Sequence, residues 1–247
     1  MGKLIRTLLM VIMVLFNSYT TTLSYANEPN IDDILDDGIG AEISEEADEF
    51  EGANRAVFAF NSFLDVILLR PLALTYEHFV PQWGRDRIRS VLHNLQEPVF
   101  AVNHILQGKP DDAFRNVGRF LTNSTFGVLG IFDVASEAAI MPARTDFGLT
   151  LKGYGVKTGP YLVLPLIGSS SVRDAPSMIV DALLDPWQYY NFPYLEHGKR
   201  TSRNITTIRY AMLTIDKRQS LMKLMDQLDA ASLDKYVMLR SIYLQRR

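Results

Sequence analysis

Apolar residues at helical spacing recur along this chain, and proline or glycine cuts the pattern short almost every time. That punctuation limits the fold more than any other feature. Asn54 to Leu69 carries Val57, Phe58, Phe60, Leu64, Ile67 and Leu68 at helical spacing. It then meets Arg70-Pro71, where a proline without an N–H is expected to stop the helix. Gly84 to Leu95 is a second piece, stopped before Pro98. Pro98 to Leu106 is a third, closed by Gly108 as a C-cap. Asp111 to Leu121 is a fourth, with Pro110 in the favoured first turn, and Val134 to Ala139 is a short fifth. Helices resume at Val172 to Leu184 and lengthen around Asn204 to Leu213, Ser220 to Leu228 and Leu233 to Gln245. Polar–apolar alternation is scarce, so little sheet is expected. The pattern predicts one all-α domain whose short helices can curve around something. Phe58, Phe60, Phe63, Ile67, Leu68 and Leu69 fill a core or lie in a lipid interface; spacing alone leaves both readings open.

The first residues read as an export signal. Lys3 and Arg6 are the only charges before residue 28, Leu8 to Phe16 is unbroken apolar sequence, and Ser24-Tyr25-Ala26 supplies a small-x-small end. Residues 1–26 are therefore expected to be a signal peptide. The apolar run is about half of the roughly 20 residues that cross a bilayer. The net charge of −3 hides an asymmetry. Residues 27–54 hold eleven acidic and no basic residues, 55–193 hold twelve of each, and 194–247 hold five acidic and eleven basic. Residues 27–52 read as a solvated acidic linker and 53–247 as the folded domain. The basic end is an ordinary helix face or a surface for anionic headgroups. The balance gives no reason to expect a nucleic-acid partner.

The search for chemistry yields little. The chain has no cysteine, which excludes thiol nucleophiles, disulfides and zinc–cysteine or iron–sulfur sites. No two of His78, His93, His104 and His197 have helical metal-pair spacing. There is no Gly-x-Ser-x-Gly elbow, and Gly168-Ser169-Ser170-Ser171 reads more simply as a helix cap. Gly108-Lys109-Pro110 fails as a phosphate loop, and the stretch from Gly153 to Gly159 has one residue too many for a dinucleotide fingerprint. Asn123-Ser124-Thr125 matches a glycosylation sequon, a weak signal. No catalytic residue, cofactor or metal is expected.

Taken in order, the distinctive residues form a series. It runs Asn54-Arg55-x-x-Phe58-x-Phe60-Asn61-x-x-Leu64-Asp65, Leu69-Arg70-Pro71, Asn94-Leu95-x-x-Pro98 and Val102-Asn103-x-x-Leu106-Gln107-Gly108. It continues with Gly118-Arg119-Phe120-x-x-Asn123-x-Thr125, then Gly127, Gly130, Phe132-Asp133-x-Ala135 and Asp146-Phe147-Gly148. Gly159-Pro160-Tyr161, Leu164-Pro165, Arg173-Asp174 and Tyr236-x-x-x-Arg240-x-x-Tyr243-x-Gln245-Arg246 complete it. This series resembles the MlaA/VacJ family of Gram-negative outer-membrane lipid-transport proteins, over about Asp48 to Arg247. The resemblance implies an all-α ring lying in the inner leaflet of the outer membrane, with a central channel for phospholipid headgroups. It implies association with a trimeric porin and transfer of phospholipid to a periplasmic MlaC-like carrier, which removes misplaced phospholipid and keeps the membrane asymmetric. It implies no enzyme activity and no cofactor.

Two departures matter. Many members carry an acylated lipobox cysteine; this chain has none, so attachment through its helices is expected. Glu49 and Pro176 also differ from the family's usual residues. Moving a charged headgroup past apolar helices requires polar lining, and Asn54, Arg55, Asn61, Asn103, Arg119 and Asn123 are the candidates. Each reads more simply as a buried group bonded to backbone. Gly153, Gly155 and Gly159 permit a hinge at the channel mouth or a set of tight turns. Two alternatives stand beside the channel: a porin-bound adaptor that moves no lipid, and a phospholipid hydrolase using Ser169 to Ser171 with a histidine.

Overall fold

The computed structural model describes residues 48–189 and 198–247. The expected signal peptide, residues 1–26, and most of the expected linker, residues 27–52, lie outside them. The architecture is helical, with one two-stranded hairpin. In chain order the helices are α1 (Glu51–Leu64), α2 (Arg70–Phe79), α3 (Gln82–Asn94), α4 (Glu97–Leu106), α5 (Pro110–Thr125), α6 (Val134–Glu137) and α7 (Phe147–Gly153). Strands β1 (Tyr161–Leu164) and β2 (Gly168–Ser171) follow, then α8 (Asp174–Leu184), α9 (Gly198–Ser220), α10 (Met222–Ala231) and α11 (Lys235–Arg246).

The expected stop at Arg70-Pro71 does not occur. A π turn, Asp65–Leu69, joins α1 to α2, so the chain stays helical through Glu51–Phe79. Proline lacks an N–H, and its ring crowds the carbonyl four residues back. Widening the turn just ahead of Pro71 moves that carbonyl, and the Arg70 N–H reaches back to the Asp65 carbonyl instead. Elsewhere proline behaves as expected: Pro98 and Pro110 sit in first turns, where the missing N–H costs nothing. Gly108 follows α4 with φ of +69°.

The hairpin is the main addition to the sequence reading. β1 and β2 pair antiparallel with Tyr161 opposite Ser171 and Leu164 opposite Gly168. Its short strands carry too little alternation to announce themselves. The serine cluster forms β2 and does not supply the N-cap of α8, which is Arg173; the Ser171 Oγ accepts from the Asp174 N–H at 3.1 Å.

Three apolar clusters hold the domain. Leu224, Met225 and Leu228 of α10 pack on Leu239 and Ile242 of α11, with Phe58 of α1 against them. Tyr161 and Val163 of β1 meet Tyr236 and Tyr243 of α11 in edge-to-face ring pairs. Leu92 of α3 meets Tyr210 and Leu213 of α9. The N-caps of α6, α7 and α11 are Asp133, Asp146 and Asp234, each accepting first-turn N–H groups.

Candidate functional site

The rod made by α1, the π turn and α2 is long and apolar enough to cross a membrane by length and composition. Its polarity is inverted relative to a helix on the surface of a soluble domain. Phe63, Val66 and Phe79 are 60%, 62% and 76% exposed, and Phe60, Ile67, Leu68 and Leu74 are exposed as well. Of its polar groups, Asn61 and Asp65 turn toward the protein, while Arg70 stays half-exposed. Asp65 pairs with Arg218 at 2.6 Å and Arg70 with Asp226 at 3.1 Å. Phe114, Leu121, Phe126 and Leu129 are exposed at α5 and just beyond it. Apolar surface on this scale marks contact with a membrane or a protein.

The six polar candidates fall into separate settings. Asn54 donates to the Tyr161 carbonyl at 3.0 Å and accepts from the Val163 N–H at 2.8 Å. Two turns later, Asn61 donates to the Leu164 carbonyl at 2.9 Å and accepts from the Leu166 N–H at 2.7 Å. The pair clamps the rod to the hairpin. Arg55 is more exposed: it bridges Glu51 and Asp234 and lies over the Tyr236 ring. Asn103 is fully buried, donating to the Asp181 carboxylate at 2.8 Å and accepting from the Thr150 hydroxyl at 3.0 Å.

Arg119 and Asn123 do converge. The Arg119 guanidinium binds Glu97 at 2.8 Å and takes both oxygens of Asp133 at 3.0 Å. Asn123 donates to Asp133 at 3.0 Å and accepts from the Ala135 N–H at 2.8 Å. Burial raises the Asp133 carboxyl, but bonds from Ser136, Asn123 and Arg119 outweigh it and hold the group below its ordinary range. Burial wins at Glu97, which is pushed up despite Arg119 and Asn116. Arg119 and Asn123 also line a polar cavity of about 210 Å³ with Arg89, His93, Asn94 and Asp133.

Of the glycines, Gly155 has φ of +83° with open space on the side where a Cβ would project, and Gly159 has φ of +69° beside Val172. Both sit in the connection from α7 to β1. Ser169 pairs with the Tyr161 hydroxyl at 2.8 Å, so the hydrogen-bond partners of Ser169 and Ser171 are Tyr161 and the Asp174 backbone, not a histidine.

Two interior groupings had no signal in residue spacing. In the first, Asp146, Asp174 and Asp181 gather around Arg173, Arg247 and Tyr243. Arg247 reaches Asp146 at 2.7 Å and Asp174 at 3.3 Å, and the Tyr243 hydroxyl donates to Asp174 at 2.5 Å. Burial, aided by Asp146, pushes Asp181 up to about 7. Asp146, Asp174 and Tyr243 stood in the motif series, whereas Asp181 did not. In the second, His93, Arg144 and Lys217 approach one another. Arg144 Nη2 lies 3.2 Å from His93 Nδ1. Burial, with Arg144, Lys217 and Arg89, drives His93 down to about 3, so the ring is neutral and Nδ1 can accept from Arg144. Among the described residues no group of acids and histidines is arranged to hold a metal ion.

The profile of the MlaA lipoprotein family matches residues 46–247. The intermembrane phospholipid transport system lipoprotein MlaA of Escherichia coli (strain K12) is 35% identical over 204 residues, covering 81% of this chain and 76% of that protein. An uncharacterized protein of Rickettsia felis is 40% identical over 195 residues, covering 78% and 74%. A solved structure from work on the structural basis for maintenance of bacterial outer membrane lipid asymmetry superposes with a TM-score of 0.69 at 33% identity, covering 81% of this chain and 97% of the other.

Proposed function

The chain belongs to the MlaA lipoprotein family, and on that premise we propose that it takes misplaced phospholipid from the outer leaflet of a Gram-negative outer membrane and passes it to a periplasmic MlaC-like carrier. The family is a lipid-transport component and not an enzyme family. The observation that carries the reading is the inverted rod. A helix that exposes Phe63 and Val66 while turning Asn61 and Asp65 toward the protein matches an apolar solvent outside and a polar interior. Fully burying such side chains contributes about 1.5–3 kcal/mol each. Several together hold the chain in a leaflet with no cysteine to acylate.

In this reading the helices ring a path whose polar walls meet the headgroup while acyl chains remain among apolar residues. Asn54, Asn61, Asn103, Arg119 and Asn123 serve the path by fixing its walls, and Arg55 stands at its edge. Residues 1–26 direct export, 27–52 form the tether and 53–247 the lipid-handling domain. A trimeric porin gives access to the outer leaflet. Gly155 acts as a hinge beside the mouth: Gly155→Ala, whose Cβ meets open space but resists φ of +83°, should keep its helical circular dichroism yet lose lipid transfer, and unchanged transfer would refute the hinge.

The test of function is transfer. Vesicles carrying the chain with its porin and labelled phosphatidylethanolamine are given a soluble lipid carrier. Label should move to the carrier only when the chain is present. Porin binding without transfer would establish the adaptor reading, and lysolipid would establish a hydrolase.

A further inference from the structure

Lys217 of α9 lines a cavity of about 130 Å³ between the rod, the hairpin loop and α10–α11. One part of the wall is apolar, with Phe58, Leu64, Leu221 and Leu239. The rest is polar and charged, with Asn61, Ser62 and Thr214 beside four cations and the carboxylates of Asp65 and Asp229. Three of its four cations have carboxylates of their own: Arg70 with Asp226, Arg218 with Asp65, and Lys235 with Asp229 at 2.6 Å. Lys217 is the exception. Its Nζ is shielded from solvent and has no hydrogen-bond partner among the described residues. The neighbouring Asp216 carboxylate is taken by Arg89 at 3.0 Å and by the Tyr76 hydroxyl.

On its other side Lys217 faces more positive charge. Burial first, then Arg144, drives its ammonium well below the ordinary lysine range, with Asp216 opposing. Lys217 and Arg144 both bear on His93, which lines the second, polar cavity. A shielded ammonium without acceptors is costly, and replacing it with an apolar side chain ordinarily stabilises a fold.

We propose that Lys217 binds the phosphate of a phospholipid headgroup entering the cavity between the rod and α10–α11. A phosphodiester supplies the acceptor oxygens that Lys217 lacks and offsets its repulsion from Arg144. The apolar wall receives the glycerol end of the acyl chains. This inference rests on the transport reading and names one contact along its path.

The experiment uses the full chain purified from envelopes in mild detergent. Retained phospholipid per protein is measured by mass spectrometry, and affinity is measured by titration with phosphatidylglycerol. Lys217→Met should weaken binding by about tenfold or more, as for loss of a charged hydrogen bond, while Lys217→Arg stays close to wild type. Stripped of lipid, Lys217→Met should melt at the same temperature or higher, which separates lost binding from lost fold. Equal lipid retention by wild type and Lys217→Met would overturn the proposal. So would Lys217-dependent binding of inorganic phosphate with unchanged lipid retention, since the ligand would then be free phosphate. If wild type carries no lipid at all, the transport reading fails; if wild type and Lys217→Met carry it equally well, only the lysine contact fails.

Discussion

The α10–α11 pair and the α1–α2 rod pack against each other yet distribute polarity in opposite senses. In α10–α11, Leu224, Leu228, Leu239 and Ile242 face inward, while Asp226 and Asp229 are largely exposed. In the rod, Asn54, Asn61, Asp65 and Arg70 bond to the rest of the protein, while Phe63, Val66 and Ile67 point out. Phe58 ties the two regions together by packing on the α10–α11 cluster. One domain thus presents a water-facing side and an apolar side. Apolar content alone would not separate them; the destination of the polar groups does.

If inward polar groups are the fasteners of this fold, their loss should exceed that of any exposed apolar residue. Arg119→Leu leaves Glu97 and Asp133 without their cation, and the cost should be about 3–5 kcal/mol, read from guanidinium chloride unfolding. A milder loss would mean that the network is less tightly coupled than its geometry implies. Next comes a direct contrast. Leu228→Ala empties the fully buried centre of α10–α11 and should cost about 2–5 kcal/mol. Phe63→Ala on the rod should change stability by about 0.5 kcal/mol or less, because the side chain already faces outward. The same variant should weaken partition onto phospholipid vesicles by about tenfold or more. A large stability loss for Phe63→Ala would erase the distinction between the two regions.

A graded effect is a pH slope. Asp181 titrates near 7 when folded, against an ordinary value of 3.8, because of burial and Asp146. The folded state therefore holds a proton that the unfolded state has released between those values. Stability falls as pH rises through that window and levels off above 7. From pH 6 to 7.5 the change from this group is about 1 kcal/mol. Asp181→Asn should flatten that slope in thermal melts. An unchanged slope would assign it to Asp146, whose carboxyl is also raised by burial.

Much of the helical framework was legible because apolar spacing and first-turn prolines are local signals: α4 and α5 begin within a residue or two of the expected positions. The rod's continuity was not, because a π turn has no sequence signature that outweighs Arg70-Pro71. The hairpin was hidden because it is held from outside, by Asn54 and Asn61, more than a hundred residues away in sequence. The motif series contained Arg119, Asn123, Asp133 and Asp174, yet their pairings depend on chain crossings that no spacing rule encodes. Lys217 was invisible for a simpler reason: a lysine in a basic helix looks solvated until its neighbours are known.

The π turn has a consequence for how the rod can change. Hydrogen bonds that reach back five residues stack residues five apart, so Asp65 and Arg70 share one side of the rod and each meets its partner there. In a regular α-helix each residue advances by about 100°, and residues five apart diverge by about 140°. The extra residue acts as a phase setting. Deleting one position within Asp65–Leu69 would turn everything beyond it by about a third of a revolution, carrying charge toward the apolar side and phenylalanine toward the interior. Along this stretch, residue number is fixed as firmly as residue type.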